Sequence, residues 1–506
     1  MLDSLGQILP YAARAYGAKT ALTIGDRSFT FEELDQLSGR FASGLVGLGV
    51  APGDRVTLYA ENRWEWVVAY HGILKAGAVV NPINVMLTPT EVEFVAADCG
   101  AKVVVASREK AEPILDLPRR TGVQAMVVFG PSTPEGAVGF DALLERGRPD
   151  FEVVVRGRDA LSTIGYTSGT TGTPKGAMLS HRSILLNTAM TAQMHARTRL
   201  DTAVNGLPLP HVYGNVVMNG ALWFGSHLVV LERFDPGEAL AAIETHRATI
   251  FEGVPTMYMY MLDHPSLEAR DLSSLTRCTV GGQTMPKAKM EAVEARFGCA
   301  LLELWGMTEI GGLGTTHPSY GVNRHGSIGI PLPYTECRIV DPEDASRLLP
   351  ANEVGELMIR GPLVMEGYYG NEAATRATIE PDGWLHTGDV ARMDEDGYIF
   401  VVDRKKDMIL TAGYNVYPAE IERVVSAHPA VAMVAVGKVA DETKGELAKA
   451  YVVLAQGASA TEAEIIGFCR EHLAAYKVPR HVRFVPDLPK TSTGKILRRE
   501  LASLDA

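Results

Sequence analysis

IGYTSGTTGTPKGAMLSH, Ile164 to His181, is built almost wholly from glycine, hydroxyl residues, one proline and one lysine. Such a run can neither pack a core nor form a regular helix. LSTIG before it reads as a strand, and MLSHRSILLNTAM at its end reads as a helix with Ser180 as N-cap. A loop of Gly169, Gly172 and Gly176 can turn backbone N–H groups onto phosphate oxygens, while Thr167, Ser168, Thr170, Thr171 and Thr173 add hydroxyl donors and Lys175 a positive charge. That composition fits a polyphosphate. Taken alone, it fits a flexible hairpin without a ligand equally well. It is not a Walker loop, because Pro174 stands where G-x-x-x-x-G-K-[ST], counted from Gly169, demands glycine.

Working outward, short β-rich runs alternate with helix-like segments: RVTLYA (Arg55 to Ala60), KVVVAS (Lys102 to Ser107) and AMVVFG (Ala125 to Gly130) on one hand, and TFEELDQLSGRFASGLVGLGV (Thr30 to Val50) on the other. The last has a Thr, two Glu in its first turn and apolar residues at helical spacing. Repeated alternation of this kind predicts α/β layers in a large multi-sheet domain, and no internal repeat at solenoid period is present. The clearest boundary is VVDRKKDMILTAGYNVYPAEIE (Val401 to Glu422), where a strand-like run meets Asp403, Arg404, Lys405, Lys406 and Asp407, five charges read here as unsuited to a core. Beyond it HPAVAMVAVG, AKAYVVLA and TEAEIIGFCREHLAAY, the last capped by Thr461, form a small α+β unit. The expected division is a large domain over 1–402, a linker at 403–406 and a small domain over 407–506.

Composition narrows the function. With 506 residues, 46% hydrophobic and 21% charged, the chain is globular and large enough for more than one domain. No apolar run reaches membrane-span length; the nearest, Val216 to Leu231, is broken by Asn219, Gly220, Gly225, Ser226 and His227. The N-terminus has neither a basic leader nor an apolar h-region, so a cytoplasmic protein is expected. Five scattered cysteines without a C-x-x-C pair argue for buried thiols rather than a disulfide framework or zinc knot. A net charge of −12 argues against nucleic acid as a partner. Yet Arg470 to Arg499 holds eight Lys/Arg against Glu471 and Asp487, which suits either a small anionic ligand or a solvated basic surface.

YTSGTTGTPKGAMLSH resembles the phosphate-loop signature of the adenylate-forming superfamily of acyl- and aryl-CoA synthetases, peptide-synthetase adenylation domains and beetle luciferases. ELWGMTEIGG (Glu303 to Gly312), GWLHTGDVARMDEDGYIFVVDRKKDMI (Gly383 to Ile409), GYNVYPAEIE (Gly413 to Glu422) and LPKTSTGKILRREL (Leu488 to Leu501) match in the same order, over nearly the whole chain. The resemblance implies that a carboxylate attacks the α-phosphate of ATP, is held as acyl-AMP while pyrophosphate leaves, and passes to the thiol of CoA. Because one anion must attack another, the site needs a metal and positive groups where negative charge accumulates.

By that resemblance the loop from Thr167 to Lys175 covers the β- and γ-phosphates, Glu309 with Thr167 holds Mg²⁺, and Thr308 touches the α-phosphate. Trp305 replaces the family's usual Tyr: its ring can stack on adenine, but any role of the phenolic hydroxyl is expected to be lost. Gly306 and Met307 follow it in the nucleotide site, and Gly281, Gly282 and Gln283 are the adenine-side turn. Asp389 accepts the two ribose hydroxyls, with Arg404 as an added donor. Lys495 is the mobile catalytic lysine. Lys406 is the hinge about which the small domain rotates, Gly413 then lines the pantetheine channel, and Tyr476, Lys477 and Arg480 meet the CoA nucleotide.

LPLPHVYGN (Leu207 to Asn215) matches the segment beside the carboxylate, with His211 as gate of an acyl tunnel walled by Tyr213, Trp223, Val254, Pro255, Met257 and Tyr258. PHVYGN lacks the acid that peptide-synthetase domains use against an α-amine, and little chain follows Lys495, so a stand-alone ligase is expected, monomeric or a homodimer. The apolar VPTMYMYML favours a medium- or long-chain fatty acid, with an aryl or alicyclic acid as the alternative. A non-catalytic nucleotide-binding module, a luciferase-like oxygenase and an acyl-AMP ligase that stops short of the thioester are the other readings.

Overall fold

The computed structural model describes residues 2–167, 174–411, 414–441, 445–491 and 494–505, apart from the side chains of Lys406 and Asn415, and the structural statements here concern these. Four parallel strands, Arg55–Tyr59, Val79–Pro82, Ala101–Ala106 and Ala125–Val128, are linked through helices such as Trp64–Lys75 and Pro89–Asp98. They form the middle of an eight-stranded sheet. A parallel pair needs such a crossover, and covering both faces with helices is why these strands are continuously apolar. The helix Phe31–Gly47 starts as expected, with Thr30 Oγ1 accepting from the Glu33 N–H and Glu33 returning the bond to the Thr30 N–H.

A second, nine-stranded sheet contains the parallel strands Thr202–Asn205, Ile250–Gly253, Arg277–Gly281 and Ala300–Met307, then turns antiparallel at Gly312–Thr316. The helix His181–Met194, capped by Ser180, packs on strands of both sheets, and Asn187 donates to the Ile310 and Leu313 carbonyls. The helix Val212–Phe224 packs beside it, and one extensive apolar core runs through both sheets and both helices.

An antiparallel sheet of Glu336–Val340, Gly355–Arg360, Leu385–Met393 and Ile399–Arg404 follows. The C-terminal part has its own sheet, built on Val431–Asp441 and Gly445–Leu454 and covered by the helices Pro418–Ser426 and Glu462–His472 around a separate core that includes Ile409, Ile421, Val436 and Ile465. The architecture is α/β, with a large multi-sheet N-terminal part and a smaller C-terminal one. No helix of the described residues is long and apolar enough to cross a membrane.

Four expectations need correction. The glycine-rich stretch does not lead straight from strand to helix: Lys175–Ser180 is itself a strand, antiparallel to Leu161–Thr167. Of the five charges at the boundary, Asp403 is buried at 4% exposure, because Arg498 and the Ala419 N–H satisfy its carboxylate. The helix expected to reach Tyr476 stops at His472, its last N–H bonds being closed by Leu473 donating to Cys469. The aromatic and Met stripe Pro255–Leu262 is mostly core: Tyr258 and Met261 pack on the outer side of the nine-stranded sheet with Phe251 and Phe297, and Tyr260 packs against Leu488 and Leu501. Of the proposed tunnel walls, Tyr258 therefore lies in that core, and Trp223 stands at the end of its helix with its ring against Phe224 and its carbonyl accepting from Tyr16 OH. All five cysteines are free thiols.

Candidate active site

Asp389 and Arg404 are directly opposite one another on adjacent antiparallel strands, which is why residues 15 apart in sequence meet: Arg404 Nε is 3.2 Å from Asp389 Oδ1. The other oxygen, Oδ2, accepts a hydrogen bond of 2.7 Å from the indole N–H of Trp305, contributed by the strand Ala300–Met307 of the large sheet. The expectation that Trp305 brings only a stacking face is thus incomplete, for it brings a donor as well. Burial pushes the Asp389 carboxyl above its ordinary range, while Arg404, the Trp305 hydrogen bond and Lys495 oppose that shift.

Lys495 reaches this point from the far end of the chain. Its segment is held by Thr491, whose N–H donates to the Lys495 carbonyl at 2.7 Å and whose Oγ1 accepts from the Lys495 N–H at 3.1 Å. Thr256 Oγ1, in the helix after Val254, donates to the Gly494 carbonyl. The lysine stem crosses Gly282, which has φ +93°; a Cβ there would lie 2.9 Å from Lys495 Cε, so the turn after Gly281 needs glycine both for its left-handed backbone and for room. Burial and the Arg404 guanidinium lower the ammonium to about 8, with Asp389 pulling the other way. Gln283 follows in the same turn.

His211 caps the helix Val212–Phe224, its Nδ1 accepting from the Tyr213 N–H at 3.3 Å, and burial with nearby Lys495 depresses it to about 3. A neutral imidazole therefore faces a cavity of about 100 Å³ lined by His211, Thr308, Val85, Leu179, Ile184 and Val212. Thr308 and Glu309 open the short 3-10 helix Thr308–Ile310 directly after Gly306 and Met307 of the strand. Glu309 is 9% exposed; Tyr368 OH donates to its Oε1 at 2.9 Å, and the Lys175 ammonium lies 5.0 Å from the Tyr368 ring. Burial raises the Glu309 carboxyl, and the Tyr368 bond opposes the shift.

Thr167 and Lys175 are paired where the two strands run into the glycine-rich stretch. Ser168, Gly169, Thr170, Thr171, Gly172 and Thr173, together with Gly413, lie outside the described residues. Lys406 stands in the 3-10 turn Lys405–Asp407. The three residues expected at the CoA nucleotide are not at the Asp389–Lys495 centre: Tyr476 stacks on Tyr414 at 4.7 Å, Lys477 makes a two-pronged ion pair with Glu420 at 2.7 and 2.8 Å, and Arg480 is exposed.

Sequence reasoning missed three groups. Tyr368 buttresses Glu309 from 59 residues away, with no local signal. Behind Tyr213, Glu252 is buried in an ion pair with Arg197 and bonded to Thr279, which also meets Tyr213 OH. An acid does therefore lie near the acyl side, but Arg197 neutralises it. Third, Arg498 joins Asp403 to Glu422 at 3.0 and 2.6 Å across the linker.

A nucleotide fits this arrangement: two buried carboxylates that accept hydrogen bonds, the half-buried Lys495 ammonium, and the Thr167–Lys175 pair are brought together. Mg²⁺ fits as well. Among the described residues no group of three or more His, Cys, Asp or Glu could cage a metal, and a Mg²⁺ bridged to phosphate requires only one or two protein oxygens, as Glu309 and Thr167 would give.

The chain belongs to the AMP-binding enzyme family, whose model matches residues 9–369 and whose C-terminal domain model matches 420–495. It is 34% identical to a long-chain-fatty-acid–CoA ligase of Bacillus subtilis strain 168, over 98% of this chain and 94% of that protein. It is 37% identical to a feruloyl-CoA synthase of an Amycolatopsis species, over 97% and 96%. In three dimensions it matches an anthranilate CoA ligase crystallised with anthranoyl-AMP, with a TM-score of 0.93, 30% identity and coverage of 99% of this chain and 97% of that one.

Proposed function

We propose that the enzyme activates a medium- or long-chain fatty acid as acyl-AMP and transfers the acyl group to CoA. It is an AMP-forming carboxylate–CoA ligase that uses ATP, Mg²⁺ and CoA. The observation that carries our assignment of roles is the Lys495 ammonium buried between the Gly282 turn and Asp389. A cation held there is aimed where the carboxylate and α-phosphate charges accumulate, and a preorganised donor in a low-dielectric site acts most strongly on the transition state. Asp389 and Arg404 hold the ribose, and Thr308 orients the α-phosphate. Ser168 to Thr173, with Lys175, enclose the outer phosphates. Mg²⁺ on Glu309 and Thr167 neutralises the phosphates and favours departure of pyrophosphate.

His211, uncharged at every working pH, separates the acyl cavity from the phosphates. Medium or long chains are supported by the likeness to a long-chain ligase. We take 1–402 and 407–506 as the two moving bodies and 403–406 as the linker, with rotation at Lys406 bringing Gly413 to the thiol and Tyr476, Lys477 and Arg480 toward the CoA nucleotide. The cytoplasm, where ATP and CoA are supplied, is the setting of this reading.

One feature favours an aryl acid as the second substrate class. Tyr213, two residues beyond His211, meets Thr279 and Glu252, and this hydroxyl and carboxylate set suits an acid with a hydrogen-bonding substituent. Pyrophosphate release with ATP and CoA across saturated acids of increasing length, benzoates and hydroxycinnamates separates the two. Preference for chains of eight carbons or more supports the first, and activity confined to aryl acids refutes it.

A further inference from the structure

We propose that Trp305 is a positioning residue for the ribose of ATP, its indole N–H fixing the Asp389 carboxylate in the orientation that receives the ribose hydroxyls. The inference rests on the reading of Asp389 as the ribose acceptor and extends it to a residue whose expected part was stacking alone.

A carboxylate on a strand rotates about two side-chain bonds, so reading a diol with both oxygens requires its plane to be fixed. Here two donors fix it from two different sheets: Trp305 Nε1 at 2.7 Å from Oδ2 and Arg404 Nε at 3.2 Å from Oδ1. Each oxygen keeps a further lone pair, one for each ribose hydroxyl. The indole is the better anchor of the two. Its N–H can only donate, so it favours the ionised acid over the protonated one. Its ring is sunk in the main core, where a Cβ on Gly314 would lie 2.5 Å from Cζ3, so the donor has no freedom to follow a wandering acceptor. Arg404 is half-exposed by contrast, with 51% of its side chain open. The other charged groups facing Asp389 are Lys495 and Asp403, which act on it through charge alone.

The test compares ATP with 2′-deoxy-ATP and 3′-deoxy-ATP in pyrophosphate release by the full-length wild-type enzyme and by Trp305→Phe, Trp305→His, Asp389→Asn and Trp305→Phe/Asp389→Asn. Loss of one hydrogen bond to a charged group predicts that Trp305→Phe raises KM for ATP about tenfold with kcat changed less than about twofold. It also predicts that the preference for ATP over either deoxynucleotide falls by about the same factor. Trp305→His, which loses more packing but keeps a ring N–H, should retain more of the preference than Trp305→Phe. In the Asp389→Asn background the Phe change should add little. A melting temperature for each protein separates unfolding from misplacement.

Wild-type discrimination in Trp305→Phe, equal losses in Phe and His, or independent multiplication of the two single effects overturns the positioning role while leaving Asp389 as ribose acceptor. Full discrimination in Asp389→Asn overturns that reading and the inference with it.

Discussion

Raising the pH past 8 should switch off adenylation through Lys495. The ordinary lysine ammonium loses its proton near 10.5, but burial and Arg404 bring this one to about 8. The charged form, which the proposed role needs, is therefore present below that value and lost above it: about nine-tenths of the molecules carry it at pH 7 and about one-tenth at pH 9. In carboxylate-dependent pyrophosphate exchange, kcat/KM for ATP reports the free enzyme, so it should fall about tenfold between pH 7 and pH 9 with its midpoint near 8. His211, already neutral above about 3, does not titrate in this window. Lys495→Ala should lose a factor of about 10² to 10³ at pH 7. Lys495→Arg carries a charge that no pH in the range removes, so whatever activity it keeps should be flat from pH 7 to pH 9.5. A wild-type profile without this limb, or a Lys495→Arg profile that retains it, refutes the assignment of the alkaline limb to this group.

Glu309→Gln should raise the Mg²⁺ concentration for half-maximal exchange by at least about tenfold, because the buried carboxylate beside Thr308 is gone; a titration with magnesium at fixed ATP measures it. Lys406→Pro locks φ in the linker and should leave acyl-AMP formation in a single turnover while abolishing the thioester, and equal loss of both halves would count against rotation there. Arg498→Met leaves Asp403 and Glu422 without their shared cation; one-sided removal of a buried ion-pair partner costs about 3 kcal/mol, so thermal melting should show the C-terminal part loosening first.

The order of strands and helices was open to direct reading, because caps and apolar periods are local. Thr30, Ser180 and Thr461 each begin the helix their side chains predict. The hairpin was misread for a local reason too: KGAMLS is short and sits between a glycine-rich run and a helix cap, so no alternation marks it as a strand. The stripe in VPTMYMYML failed differently, since an apolar helical face declares that it is buried but not against what.

By itself, the sequence determined the α/β class and membership of the AMP-binding family, for these are written in local alternation and contiguous motifs, and it named the candidate groups for a nucleotide. Only the tertiary structure decided how those groups act on one another. Asp389 and Arg404 pair through strand register, Trp305 joins them from another sheet 84 residues away, and Lys495 arrives from the C-terminal part to lose its proton near 8. The physical reason is that a hydrogen bond or a shifted pKa depends on distance and burial, which close only when separate sheets and segments pack together.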